Sequence, residues 1–577
     1  MSRGTIVFVD SAVPGRRQDV VLGLLGPVAT AARAMGRPRV AYRVFVESAL
    51  PRGVRGATPS GTVDRQALSE AASRAYQLAM RELRTGSVPE LDRSQTGDLH
   101  RASVAVQYVD VVEALRFAES AAREAGAGRV LVVSTSRWRA RYLVAELRDR
   151  GFSAHALSFP DERRDGSTLS GTLPHELRFT EHPSLQPCGG GPLDVLLLAE
   201  STAMVGTMLP VARLLRNTTP LKAGLFVSDR VPSSQNGAGR EQQSAAHRLP
   251  SSAVATNGTS PAVVDALSAI AHQLSSRLVM ESELAVPAVE RLLDTCKPRL
   301  LVLGNDRIWS GQLLAKVARA RNIPVLCVQD GLAVDGPSWW ARTADFTATN
   351  GEYLRDVLVR LGAPRESLFV TGQPRMDSMY EQSQGLTRAA AREVLGLEPG
   401  TRHVLLALQG LHDTRYLRQA VTGLNHMQDL HVIVRPHHWQ NAKVLKASVR
   451  TADGDRSNVS FRSDDDIGTL LRAVDVVVSQ YSTILVEAAL MRTPSVALTL
   501  SGGHDPLDLV DAGIAMGARS GEELGAAVER ALLGDSAHLD HAFQSASHML
   551  GPFDGRSAER VARLVESLLD AEPPRAR

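Results

Sequence analysis

One stretch limits the choice of fold more than any other, namely residues 473–498. Residues 474–478 are a short run dominated by β-branched side chains, which is typical of a buried parallel strand. Residues 479–482 form a polar turn, residues 483–491 have the composition of a helix, and Pro494 ends that helix before the next apolar run. This order of strand, turn, helix and strand predicts an α/β fold.

The polar turn places Ser482 and Thr483 at a predicted helix start, where free N–H groups and the helix dipole favour an anion such as phosphate. Glu487 lies on the same helix face, about 6 Å along the axis from Thr483. That separation is close to the one between a phosphate and the ribose of a nucleotide. The pattern therefore fits a bound nucleotide diphosphate, and it fits an ordinary βαβ unit with a solvated glutamate equally well.

Length and composition restrict the class of protein. The 577 residues predict two to four domains, and 44% hydrophobic with 22% charged residues is typical of soluble globular proteins. A net charge of +3 is small for this length, so nucleic acid is not an expected partner. The three cysteines, Cys188, Cys296 and Cys327, indicate a reducing compartment rather than a disulfide framework or a metal site.

The sequence shows neither the apolar core of a signal peptide nor an apolar run long enough to cross a membrane. We therefore expect a cytoplasmic protein, whose contact with a membrane would be peripheral and at its inner face. The oligomeric state is not predicted.

Strand and helix signals alternate along much of the chain, and they predict three segments. These are an N-terminal α/β segment over residues 1–128, an acceptor-side Rossmann-like domain over 129–385, and a nucleotide-donor domain over 386–577. A Gly/Pro-rich insertion occupies residues 162–192, and the Ser/Gln/Gly-rich stretch 233–260 is expected to be a disordered or mobile loop. The predicted fold class is α/β, with two doubly wound Rossmann-like domains facing a cleft.

Polar residues follow several predicted strands of the first half, at the sheet edge where ligands bind in such folds. Asp306 fits a general acid or base, and it fits a helix N-cap. Asp330 could contact an acceptor hydroxyl as the catalytic base, or belong to an Asp-Gly turn without chemistry. Gln373 and Arg375 follow the next such strand and could face the cleft, although Gly-X-Pro turns are common.

In the second half, Arg435 and His437 follow a predicted strand and could neutralise a diphosphate leaving group without a metal. Gln409 lies in another edge loop that could touch the donor or the acceptor. The sequence lacks a Walker loop, a GxGxxG fingerprint, an HExxH motif and a suitable Asp-X-Asp dyad. We therefore predict no metal and no cofactor other than an activated co-substrate, and the absence of a GxSxG elbow disfavours a serine hydrolase.

Four motifs, in this order, resemble those of the donor domain of GT-B glycosyltransferases. The resemblance is to bacterial capsular, surface-polysaccharide and CDP-glycerol glycerophosphotransferase-type enzymes. The motifs are Val-Thr-Gly-Gln-Pro-Arg-Met-Asp at 370–377, Val-Arg-Pro-His at 434–437, Val-Ser-Gln-Tyr-Ser-Thr with Glu487 at 478–487, and Phe-Asp-Gly-Arg-Ser-Ala-Glu-Arg at 553–560.

Residues 301–332 also resemble the non-hydrolysing UDP-N-acetylglucosamine 2-epimerases, through Gly-Asn-Asp at 304–306, Ile-Pro-Val at 323–325 and Gly-Leu at 331–332. That resemblance implies an acid/base role for Asp306 if the chemistry is shared. Those epimerases carry Gly-Gly and paired glutamates where this chain has a single Glu487, and their His/Arg-rich loop is Gln-Gly-Leu-His at 409–412 here. These departures favour transfer over epimerisation.

The resemblance implies a metal-independent glycosyltransferase that moves a sugar, or a polyol phosphate, from a nucleotide-activated donor to a hydroxyl of a glycan or lipid-linked acceptor. The expected donor-binding residues are Arg435, His437, Ser482, Thr483, Glu487, Gln373 and Gln409, and the candidate bases are Asp306 and Asp330. A sugar-nucleotide 2-epimerase and a non-catalytic nucleotide-sugar-binding protein are the alternatives.

Overall fold

The structure is a computed structural model. It describes residues 4–10, 39–42, 56–57, 126–134, 137–158, 179–185, 191–228, 285–307, 309–329, 331–332, 342–408, 414–427, 429–437, 458–500, 507–534 and 536–570, with single positions in 75–123 and 445–449. The chain divides into two compact units. The first comprises Met1–Glu176, Gln243–Pro287 and Asp335–Ala341, and the second comprises Leu177–Gln242, Ala288–Val334 and Arg342–Arg577.

The first unit contains a five-stranded parallel sheet of order β3-β2-β1-β4-β5. Its strands are β1 (Gly4–Asp10), β2 (Arg39–Tyr42), β3 (Gly56–Ala57), β4 (Ala127–Ser134) and β5 (Ser153–Ser158), and helix α1 (Arg137–Asp149) joins the last two. The predicted boundary between residues 128 and 129 lies within the span of β4. Strand β4 pairs with β1, more than a hundred residues earlier, and local sequence does not encode such a pairing.

The second unit contains a seven-stranded sheet of order β12-β11-β10-β9-β7-β8-β6. Its strands are β6 (Phe179–Glu181), β7 (Val195–Ala199), β8 (Ala223–Ser228), β9 (Leu300–Leu303), β10 (Val325–Val328), β11 (Phe346–Thr349) and β12 (Leu368–Val370). All pairings are parallel except that of β6 with β8. Strand β6 lies within the predicted 162–192 insertion, so part of that insertion forms an edge strand.

A six-stranded, wholly parallel sheet follows in the same unit, with the order β15-β14-β13-β16-β17-β18. Its strands are β13 (Arg402–Ala407), β14 (Leu430–Arg435), β15 (Val459–Phe461), β16 (Val476–Ser479), β17 (Ser495–Leu498) and β18 (Met516–Ala518). Val477 packs in one apolar cluster while Val476 and Val478 pack in another, on the opposite face. Burial on both faces explains why β16 is a continuous apolar run.

Helices connect the strands of both sheets in the second unit. In chain order they are α2 (Thr202–Thr218), α3 (Trp309–Arg319), α4 (Glu352–Arg360), α5 (Asp377–Gly385), α6 (Arg388–Leu395), α7 (Thr414–Leu424), α8 (Ile467–Ala473), α9 (Thr483–Leu490), α10 (Gly521–Leu533), α11 (Ser536–Leu550) and α12 (Ser557–Asp570). Residues 378–400 contribute to two of these helices, α5 and α6. The predicted α/β class with two doubly wound domains is confirmed.

The last helix does not pack with the sheet that precedes it. Val561, Val565 and Leu569 of α12 share an apolar cluster with Val195 and Leu300 of the seven-stranded sheet. The predicted donor segment 386–577 therefore ends in a helix that the earlier domain holds. Among the helices that the structure describes, none is long and apolar enough to cross a membrane.

Two histidines meet near the amino ends of adjacent strands. The Nδ1 atoms of His403 and His431 lie 3.3 Å apart, and Nε2 of His403 lies 2.9 Å from the carbonyl oxygen of Glu398. Because a carbonyl only accepts, Nε2 of His403 carries a proton, and His431 donates from its own Nδ1 while both rings are neutral. Burial lowers the pKa of His431, and the neighbouring His403 and Arg462 act in the same direction.

We expect this pair to make stability depend on pH. The pKa of His431 is lower when folded than the unfolded value of about 6.5, so the neutral pair contributes fully above about pH 6.5 and its contribution is lost as pH falls below it. Thermal unfolding between pH 8 and pH 5 measures this loss. A His431→Asn variant keeps a donor but does not titrate, so its stability should fall less on acidification. Equal falls in both proteins would contradict the assignment.

Candidate functional site

The six-stranded sheet reverses its direction of growth between β13 and β16. From β13 the chain proceeds outward to β14 and β15, and then returns to β16 on the other side of β13 before continuing to β17 and β18. Ligands of open α/β sheets bind beside such a reversal, at the carboxyl ends of the strands. Here the two carboxyl ends are joined directly, because the buried Ser479 Oγ donates a 2.8 Å hydrogen bond to the carbonyl oxygen of Ala407.

The turn after β16 opens onto this edge as predicted. Ser482 is the N-cap of α9, and its Oγ accepts a 3.4 Å hydrogen bond from the backbone N–H of Ile484. Thr483 is the first helical residue, so its hydroxyl and the first N–H groups of α9 lie at the helix start, where an anion is favoured. Burial raises the pKa of Tyr481 in the same turn, which keeps its hydroxyl neutral.

Glu487 is not the solvated side chain of an ordinary surface helix. The residue is 5% exposed, and its Oε1 accepts a 2.8 Å hydrogen bond from Nη2 of Arg375. Arg375 lies in the 3₁₀ turn Pro374–Met376, which follows β12 of the seven-stranded sheet. A buried carboxylate at a ligand-binding sheet edge can accept hydrogen bonds from a diol while it remains paired with a guanidinium, because it has about four acceptor sites.

Arg435 and His437 lie at the end of β14, on the same sheet edge. Nη1 of Arg435 donates a 2.8 Å hydrogen bond to the carbonyl oxygen of Asp465. Burial lowers the pKa of Arg435, while four carboxylates act in the opposite sense, those of Asp465, Asp466, Asp464 and Glu487 in decreasing order. The guanidinium stays charged at any physiological pH. His437 is partly buried, two residues beyond the strand.

Two of the motifs that carried the sequence resemblance bind each other. Asp377 accepts hydrogen bonds from the backbone N–H groups of Ser557 (3.0 Å) and Ala558 (2.8 Å), at the start of α12. Arg560 in return donates a 2.7 Å hydrogen bond from Nε to the carbonyl oxygen of Thr371. We call these contacts between residues 371–377 and the start of α12 the clamp.

Two further features fix the clamp. Arg560 also donates to both carboxylate oxygens of Asp554, at 2.8 and 2.9 Å, and these hydrogen bonds lower the pKa of Asp554. Gly372 has a φ of +75°, and a Cβ there would lie 2.6 Å from Ser557 Oγ, so glycine is required both by its conformation and by space. Gln373, the next residue, is 1% exposed, and the clamp holds it at the end of β12.

Asp306 forms hydrogen bonds that the sequence did not indicate. The residue is fully buried, and its Oδ2 accepts hydrogen bonds from the backbone N–H groups of Thr343 (2.9 Å) and Ala344 (2.8 Å). Its carbonyl oxygen accepts another from Thr343 Oγ1 at 2.8 Å. Asp306 therefore anchors the segment leading into β11.

The remaining candidates divide as follows. Asp330 and Gln409 lie outside the described residues, as does the predicted loop at 233–260. Ser482, Thr483 and Glu487 share one turn and helix, and Arg435 and His437 lie at the same sheet edge. Arg375 was noted in the sequence but was given no role, and its partnership with Glu487, 112 positions away, left no local signal.

Within the described ranges, His, Cys, Asp and Glu side chains form no group of three or more that could hold a metal ion.

No protein-family model matches the sequence, and no curated protein sequence matches it. The structure is nevertheless similar to solved structures from both enzyme groups whose motifs the sequence resembles. One is the UDP-GlcNAc 2-epimerase of Neisseria meningitidis bound to UDP-GlcNAc, with 13% identity and a TM-score of 0.45, covering 65% of this chain and 100% of that one.

Two further similarities are of the same kind. The S. aureus MnaA–UDP structure has 16% identity and a TM-score of 0.46, covering 66% of this chain and 98% of that one. The wall teichoic acid polymerase TagF has 10% identity and a TM-score of 0.38, covering 67% of this chain and 91% of that one. Identities this low do not transfer an activity or a ligand to this chain.

Proposed function

We propose that this protein is a metal-independent GT-B type glycosyltransferase that uses a nucleotide-activated donor. The observation that carries the proposal is that a helix start, two basic side chains and a buried carboxylate lie along the carboxyl edge of the six-stranded sheet, beside its reversal. A nucleoside diphosphate offers anionic phosphates and a ribose diol, and these are the groups that such a set can bind.

Each residue has a defined part in this proposal. Ser482 shapes the turn, while Thr483 and the first N–H groups of α9 hold the diphosphate. Arg435 and His437 stabilise the negative charge that grows on the leaving diphosphate, using charge-assisted hydrogen bonds in place of a metal. Glu487 accepts from the ribose hydroxyls. Gln373, held by the clamp, and Gln409 complete the donor site.

In the proposed reaction an acceptor hydroxyl oxygen forms a bond to the anomeric carbon of the donor sugar. The bond from that carbon to the phosphate oxygen breaks, and the nucleoside diphosphate leaves with the electron pair. The hydroxyl proton passes to a base, for which Asp306 and Asp330 are the candidates; Oδ2 of Asp306 already accepts from two backbone N–H groups. The acceptor is a glycan or a lipid-linked glycan, which the protein would meet at the membrane surface.

The test is a turnover assay with EDTA present. Purified protein is incubated with UDP-, CDP- and GDP-activated sugars and with CDP-glycerol, with and without a panel of glycan acceptors, and the released nucleotide and the sugar products are identified. Acceptor-dependent release of a nucleotide supports transfer. Formation of a C2 epimer without an acceptor would replace this proposal with epimerisation, and tight donor binding with no turnover on any acceptor would replace it with a non-catalytic binding protein.

A further inference from the structure

The ion pair between Arg375 and Glu487 joins two separate parts of the second unit. Arg375 follows β12 of the seven-stranded sheet, whereas Glu487 lies on α9 of the six-stranded sheet. Nη2 of Arg375 lies 2.8 Å from Oε1 of Glu487, and the two side chains are 26% and 7% exposed. A buried carboxylate needs a partner for its oxygens, and no other ion pair to Glu487 is present among the described residues.

The position of Arg375 is fixed from both sides. Two residues after it, Asp377 binds the start of α12, and four residues before it, the carbonyl of Thr371 binds Arg560. The Nε of Arg375 is buried and has no hydrogen-bond partner among the described residues. The guanidinium is therefore presented to Glu487 by a rigid backbone rather than by a mobile surface loop.

We propose that Arg375 is a positioning residue of the donor site. Its hydrogen bond to Oε1 orients the Glu487 carboxylate so that the second oxygen faces the ribose hydroxyls of the donor. This inference rests on the proposed function. It adds Arg375, which follows the seven-stranded sheet as Gln373 does, to a donor site whose other described residues follow strands of the six-stranded sheet. The clamp fixes the backbone on either side of Arg375. Donor binding therefore depends on the clamp, although the clamp residues Asp377 and Arg560 do not contact the donor in this proposal.

A thermodynamic cycle between a side chain and a ligand group tests this role. The dissociation constants of UDP, CDP and GDP, and of their 2′,3′-dideoxy analogues, are measured for the wild-type protein, Arg375→Met and Arg375→Lys. Arg365→Met, an exposed arginine near the same strand, serves as the control. If Arg375 acts through Glu487 on the diol, Arg375→Met weakens the diol-containing nucleotide about 10-fold and the dideoxy analogue hardly at all.

Arg375→Lys keeps a cation and should recover part of the affinity, and it supplies the same comparison if the methionine variant does not fold. Equal losses for the two kinds of nucleotide would overturn the inference, because they would mean that Arg375 contacts the phosphates or acts only on folding. Unchanged affinity for both would also overturn it. If the wild-type protein binds none of these nucleotides, the proposed function fails, and this inference fails with it.

Discussion

A Glu487→Ala variant is expected to fold and to bind the nucleotide donor about 10- to 100-fold more weakly than the wild-type protein. The loss follows from removing the charge-assisted hydrogen bonds to the ribose diol, which contribute about 1.5–3 kcal/mol. Stability should fall by only about 1–2 kcal/mol, because Arg375 is 26% exposed and can be hydrated once its partner is gone. Isothermal titration with the nucleoside diphosphate, together with a thermal unfolding curve, separates the two effects.

The matched comparison is Glu393→Ala, which removes an exposed glutamate from α6 of the same unit. Its donor affinity and stability should match those of the wild-type protein. Glu487→Gln preserves the shape and an acceptor oxygen but loses the charge. Its affinity for the donor should therefore lie between those of Glu487→Ala and Glu393→Ala. Wild-type affinity in the alanine variant would remove Glu487 from the ribose and would leave it as a partner of Arg375 alone.

An Asp377→Ala variant is expected to lose about 2 kcal/mol of stability. The carboxylate accepts from two backbone N–H groups at the start of α12 and lies where the helix dipole favours a negative charge. Without it those N–H groups lose their partners, and the end of α12 that carries Arg560 is released from residues 371–377. The midpoint of urea denaturation, followed by fluorescence and by circular dichroism, measures the change.

Arg563→Ala on the same helix provides the control. Its ion pair with Glu559 at 3.1 Å is exposed, with side-chain exposures of 73% and 45%, so removing it should change stability by less than about 0.5 kcal/mol. If Asp377→Ala were as stable as Arg563→Ala, the clamp would not be holding α12. In that case, the inference that the clamp positions Arg375 in the donor site would also fail.

Local features of the site were predictable because they depend on neighbouring residues. The pattern over residues 473–498 predicted a strand, a helix start at Ser482 and Thr483, and a second strand, and the structure has them as β16, α9 and β17. Continuous apolar runs on either side of a polar turn and a helical segment encode such a unit within about twenty-five residues. The polar residues after other strands were identified for the same reason, since they follow short apolar runs.

The long-range contacts were not predictable. Asp377 and Ser557 were both in recognised motifs, yet nothing in either motif indicates that they bind each other across 180 positions. The hydrogen bonds of Asp306 were not predictable for the same reason, because its partners Thr343 and Ala344 lie 37 and 38 residues later. Strand order is equally non-local, because β4 pairs with β1 more than a hundred residues earlier.

The central claim is that a nucleoside diphosphate binds at the reversal of the six-stranded sheet without a metal. The most direct measurement is the thermal stabilisation of the purified protein by UDP, CDP, GDP, TDP, CMP and their sugars in the presence of EDTA. We predict stabilisation by one base over the others, retained with EDTA and reduced in Glu487→Ala. No stabilisation by any of these nucleotides, or stabilisation that is unchanged in Glu487→Ala, would contradict the claim.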